Sequence, residues 1–125
     1  MAASFVLAAI SFPADAADGL PIKVGDCAKT SIAEISQRLE DGRTHAPIAL
    51  SGSAVRFANG LYQVSYDQVS GINKSRVGDP VSICLIRLPK NCPPGDDRGK
   101  TYKTVNLRSH KSWILPDAEH MCGGA

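Results

Sequence analysis

The Asn59-Gly60 pair, set between two runs of alternating apolar and polar residues, constrains this chain more than any other feature. Asn-Gly is the preferred centre of a two-residue type I′ turn, because both positions need positive φ and these residues tolerate it. Such a turn sets Ala58 against Leu61, Phe57 against Tyr62, Arg56 against Gln63 and Val55 against Val64. One face of the predicted hairpin then carries Val55, Phe57, Tyr62, Val64 and Tyr66, and the other carries Arg56, Gln63 and Ser65. That is the pattern of a sheet half buried against a core. Immediately upstream, Ser51-Gly52-Ser53 is small, polar and flexible, and is expected to form a solvent-facing lip on the hairpin.

Strand signals recur along the rest of the chain. Residues 81–88 form its most continuously apolar run after the leader, launched by Gly78-Asp79-Pro80 and stopped by Pro89, which predicts a central strand buried on both faces. Residues 101–108 and 112–115 read as a closing hairpin across Ser109-His110-Lys111, with Trp113 in the core. Between these runs, residues 90–100 are too rich in Pro, Gly and Asp to be helix or central strand. Residues 27–39 admit two readings. Ser31 with Glu34 resembles a capping box, and Ile32, Ile35 and Leu39 recur at helical spacing; the β-branched content of the same segment suits a bulged strand. Short strands with frequent turn signals predict an all-β fold, a small antiparallel β-barrel with at most one short helix.

The compartment is written in the cysteines and the leader. Residues 1–12 are apolar and run into Ala14-Asp15-Ala16, a small-residue cleavage pattern, so residues 1–16 are expected to be a signal peptide and 17–125 a single β-barrel domain. No Cys sits at the cleavage point, so no lipid or other membrane anchor is expected. Cys27, Cys84, Cys92 and Cys122 form an even set in an exported chain and are expected to make two disulfides, with three connectivities possible. The favoured pairing joins Cys27 to Cys84, whose strand-like setting needs a partner from the sheet, and Cys92 to Cys122, which would staple an irregular tail. Zinc is disfavoured because there is no C-x-x-C pair and no helical His spacing.

Chemistry is scarce. The net charge of +2 is spread without an aromatic-interleaved basic stripe, which gives no signature of nucleic-acid binding. His45, His110 and His120 fall in loops, with no nucleophile or carboxylate at a recognisable spacing, so neither catalysis nor a cofactor or metal is expected. Asp96-Asp97-Arg98 reads as a solvated loop.

The run Ser51-Gly52-Ser53-Ala54-Val55-Arg56-Phe57, followed by Asn59-Gly60 and by Tyr62 with Val64, resembles the first signature of the periplasmic and membrane-bound inhibitors of c-type lysozyme. The resemblance covers some of residues 51–66 and implies an exported, disulfide-bearing, antiparallel β-barrel of a Gram-negative bacterium. It implies a non-catalytic function, binding and blocking the cleft of a c-type lysozyme, with Ser51, Gly52, Ser53, Arg56, Tyr62 and Tyr66 as the contact residues. Where that family carries a lysine after the return strand this chain has Asp67-Gln68, leaving Lys74 or Arg56 as the replacement cation. The rival reading is a non-catalytic structural or small-ligand-binding β-domain of the cell envelope.

Overall fold

Of the two readings for residues 27–39, the computed structural model, which describes residues 19–124, shows the bulged strand. The expected signal peptide lies outside the described residues. In chain order the elements are β1 (Cys27–Gln37), β2 (Ser53–Phe57), β3 (Tyr62–Val64), the single-turn α1 (Ser70–Asn73), β4 (Pro80–Arg87), β5 (Thr101–Asn106) and β6 (Ser112–Pro116). All strands pair antiparallel, in the order β3-β2-β1-β4-β5-β6. The first half of β1 pairs with β4 and the second half with β2, and the register shifts between Ile32 and Glu34 where it changes partner. A bulge adds a residue and sharpens the local twist. Ala33 is thus the corner about which the sheet curls into a half-barrel, bringing its two edge strands, β3 and β6, towards each other.

The hairpin differs from expectation by one residue. Phe57 N–H donates to Leu61 O and Gly60 N–H to Phe57 O, both at 2.9 Å, so the loop holds three residues, Ala58, Asn59 and Gly60. Only Gly60 of the three takes positive φ, at +90°, as a three-residue hairpin loop requires at its last position. Arg56 therefore pairs with Tyr62 and Val55 with Gln63, and the supposed Phe57–Tyr62 aromatic pair does not exist. Because side chains alternate, a slip of one residue exchanges the faces of the whole return strand. Gln63 is wholly buried beside Val55 and Phe57, Tyr62 is half-buried on the opposite face, and Tyr66 is exposed.

A glutamine survives inside because every hydrogen-bonding position of its amide is used. Its Nε2 donates to Tyr102 O (3.0 Å) and Leu115 O (3.1 Å), while its Oε1 accepts from Thr104 Oγ1 (2.6 Å) and Trp113 Nε1 (2.8 Å). One side chain on β3 thereby clasps β5 and β6 across the seam that no backbone ladder closes. Around it lies an apolar cluster that includes Ile32, Phe57, Leu61, Ile72, Ile83, Leu85, Tyr102 and Trp113. A second buried polar knot centres on Asp79, whose carboxylate accepts from Arg108 Nε (2.7 Å), Asn106 Nδ2 (2.9 Å) and Arg76 N (2.8 Å).

β4 is central, as expected, but not buried on both faces: Val81, Ile83 and Leu85 point into the core while Ser82 and Cys84 are only half-buried and Ile86 is exposed. The reason is that only one face of the half-barrel is covered. Both disulfides join the expected cysteines. Cys27 and Cys84 sit directly opposite each other on β1 and β4, and Cys92–Cys122 ties the tail to the loop of residues 90–100. Two disulfides with no free thiol indicate an oxidising extracellular or periplasmic environment. Among the described residues no helix is long and apolar enough to cross a membrane.

Candidate functional site

The expected Ser51-Gly52-Ser53 lip is structural. Ser53, the first residue of β2, is wholly buried; its hydroxyl donates to Asn73 Oδ1 (3.1 Å) and accepts from Val69 N–H (2.8 Å), fastening α1 to the sheet. Gly52 has φ +123°, and a Cβ there would collide with Ser65 O. Ser51 is half-buried, with its hydroxyl accepting from Leu39 N–H (3.1 Å) and its carbonyl from Arg38 Nε (2.8 Å). Small residues are required here because two backbones pass closely, not because the segment must flex.

Arg56 and Tyr62 do come together on the outer side of the sheet, whereas Tyr66 meets their groove only through Arg38. Arg56 lies opposite Tyr62 on one side and Glu34 on the other, with its guanidinium 5.2 Å from the centre of the Tyr62 ring. An arm of residues 39–51 rises beside them. Its base is closed by the Glu40–Pro47 bridge and by Ile48 N–H donating to Leu39 O, and its tip by Asp41 Oδ1, which accepts from the N–H groups of Arg43 and Thr44. Those two donors hold the Asp41 carboxyl below its ordinary range. Between arm and sheet lies a groove of about 260 Å³, its floor formed by Glu34, Arg56 and Tyr62 and its wall by Leu39, Glu40 and Pro47.

Arg38 braces the far end. Its guanidinium stacks 4.3 Å from the centre of the Tyr66 ring and pairs with Glu119 (3.3 Å), whose carbonyl accepts from Tyr66 Oη (3.3 Å). The tail stapled by Cys92–Cys122 is in this way part of the site's frame. Burial raises the Tyr62 phenol above its ordinary range, and the Glu119 carboxylate adds to that effect while Arg56 opposes it. Tyr62 is therefore a neutral hydroxyl at physiological pH. Arg56 has no carboxylate within 4 Å among the described residues, and Glu34 has no cation partner there.

Lys74 follows α1 and does not line the groove, which leaves Arg56 as the cation of the expected set that does. The three histidines are exposed, and only His45 touches a carboxylate, that of Glu40 at 3.3 Å. Among the described residues no three His, Cys, Asp or Glu side chains are grouped to hold a metal. Glu34, Arg38, Glu40 and Glu119 were not anticipated. Glu34 carried a signal, since the bulged-strand reading of residues 27–39 sends it outward beside Arg56; Arg38 and Glu119 carried none, because their meeting depends on where the tail returns. No family model matches the chain, and no curated protein or solved structure is detectably similar to it.

Proposed function

We propose that this protein is a non-catalytic binding domain of the cell envelope, exported by the leader expected at residues 1–16, whose ligand sits in the groove between the arm and the β1–β2–β3 surface. The observation that carries this reading is the pair Glu34 and Arg56, opposite charges on neighbouring strands that face the same concavity and leave each other unpaired. Solvated charges beside a half-buried tyrosine, between a sheet and a hydrogen-bonded arm, make a recognition surface whose parts are already in place, so little order remains to be imposed on binding. The test is to map binding by amide chemical shifts. Perturbations should gather at residues 34–40, 47, 56 and 62 and vanish in Arg56→Ala; ligands that perturb only other surfaces would overturn the assignment.

Lysozyme inhibition is the second reading, favoured by Arg56 itself. A lysozyme cleft holds two carboxyl groups of different protonation state, and a guanidinium without an internal carboxylate partner is suited to meet the ionised one. The buried Ser53 takes no part in this version, which relies on Arg56, Tyr62 and Tyr66. A lysis assay with a c-type lysozyme should show inhibition by the wild type that Arg56→Ala loses. Absence of inhibition and of calorimetric binding at micromolar lysozyme would eliminate this partner while leaving the groove itself open to the mapping above.

A further inference from the structure

Resting on the groove as the binding site, we propose that its ligand is a neutral saccharide, held through a pair of neighbouring hydroxyls that bridges Glu34 and Arg56. The charge pattern selects this class. Arg38 is committed to Glu119 and Glu40, on the wall, is hydrogen-bonded to His45, so the charges on the groove's floor without a side-chain partner among the described residues are one carboxylate, Glu34, and one guanidinium, Arg56. They face each other across the β1–β2 register yet stand more than 4 Å apart, because no ion pair forms between them. An anion would be drawn to Arg56 and repelled by Glu34, and a cation the reverse. An apolar ligand would strip water from both without replacing its hydrogen bonds, a costly exchange.

A hydroxyl group both donates and accepts. Two on adjacent carbons satisfy the unlike pair at once, one donating to the Glu34 carboxylate and the other accepting from Arg56, and hydrogen bonds to ionised groups are the strong kind. Gln37, whose Oε1 already accepts from Gln68 Nε2 (2.8 Å), offers its Nε2 as a further donor at the end of β1. The C–H face of a sugar ring needs apolar surface as well, which Tyr62, Leu39 and Pro47 supply. At about 260 Å³ the groove falls just below the usual range of pockets for drug-sized ligands. That volume suits a mono- or disaccharide unit.

The experiment is an amide chemical-shift titration of the full mature protein with chitobiose, cellobiose and maltose, with glycylglycine and inorganic phosphate as charged probes. At least one disaccharide should perturb residues 34–40, 47, 56 and 62 with saturation in the millimolar range, and phosphate should not. Glu34→Gln and Arg56→Ala should each weaken that binding about tenfold, as expected when a charge-assisted hydrogen bond is lost, without moving the thermal midpoint. Saturable shifts at these residues from glycylglycine alone would keep the groove as the binding site and overturn the saccharide assignment in favour of a zwitterion. If no probe perturbs the groove, or if the sugars bind with undiminished affinity to both variants, the saccharide proposal is wrong; silence from every probe removes the groove reading with it.

Discussion

Gln63→Leu tests the idea that a single amide closes the half-barrel. Leucine nearly matches the volume of the replaced side chain, so no large cavity opens, and the effect isolates four hydrogen bonds: those from Trp113 Nε1 and Thr104 Oγ1 to the amide oxygen, and those from the amide nitrogen to Tyr102 O and Leu115 O. The buried indole N–H loses its acceptor outright, a cost of about 1 to 3 kcal/mol. Thr104 can rotate its hydroxyl, and the carbonyls lose one contact each, so the total is expected at about 2 to 4 kcal/mol. Against the ~5 to 15 kcal/mol typical of a domain, that is a large share. Urea unfolding followed by the fluorescence of Trp113, the only tryptophan, measures it. Gln63→Glu separates hydrogen bonding from packing, because it keeps the acceptor for Trp113 but turns a carboxylate towards two carbonyl oxygens. Burial and those oxygens raise the pKa of the introduced acid in the fold above its unfolded value of about 4.3. Relative to wild type, the variant's loss of stability should thus be smallest below pH ~4 and grow as the pH rises towards neutrality. A Gln63→Leu stability within about 0.5 kcal/mol of wild type, or a Gln63→Glu deficit relative to wild type that stays constant from acid to neutral pH, would refute the clasp.

Four further outcomes are expected. Ser53→Ala should destabilise by about 1 to 2 kcal/mol in chemical denaturation, since the Val69 N–H loses a buried acceptor; a neutral result would return Ser53 to the surface. Leu50 has φ +61° and is 82% exposed at the third position of the turn closed by Ser51 N–H on Ile48 O, so Leu50→Gly should stabilise by about 0.5 to 1 kcal/mol, the left-handed strain relieved less the added chain entropy. Arg108 foremost, then Asn106, holds the Asp79 carboxyl well below the usual carboxylate range. Stability from this group is therefore present above the unfolded value of about 3.9 and lost as pH falls; Asp79→Asn should flatten that acid limb of a thermal-midpoint profile. Alkylation of the native protein without reductant should label no cysteine, as both pairs are bonded.

What was legible in the chain was what depends on local chemistry. Strand runs bounded by Pro and Gly placed β2, β4, β5 and β6 close to where they lie, and the cysteine pairing followed from which segments were sheet and which were tail. Besides the hairpin register, three things were not legible, each decided by a distant partner. Ser53 looks like a turn residue until Asn73 and the Val69 N–H arrive to bury it. β1 keeps a helix-like spacing of Ile32 and Ile35 because its bulge inserts one residue between them, which shifts the alternation without destroying the strand. Arg38 is unremarkable until the tail carries Glu119 beside it.

The hairpin slip matters most because it decides which side chains are offered to a ligand. Hydropathy favours burying Tyr62 and exposing Gln63, and a two-residue Asn-Gly turn would do so. That register would turn Tyr62 into the core and set Gln63, rather than Tyr62, opposite Arg56 on the outer face. Four groups reverse the preference: Trp113 Nε1 and Thr104 Oγ1 find their acceptor in the Gln63 amide oxygen, and the carbonyls of Tyr102 and Leu115, on β5 and β6 across the seam, take its two N–H donors. Gln63 answers all of them, whereas a tyrosine hydroxyl cannot supply two donors and two acceptances at once. The extra loop residue, Gly60 in the left-handed region, lets the backbone follow that choice. The polar demand of the core on one side of β3 thus fixes the aromatic and cationic surface on the other. A variant that removes the demand, Gln63→Leu, should accordingly weaken any ligand of the Arg56–Tyr62 groove even though position 63 faces away from it, and a ligand affinity untouched by a destabilised seam would show that the two faces are independent.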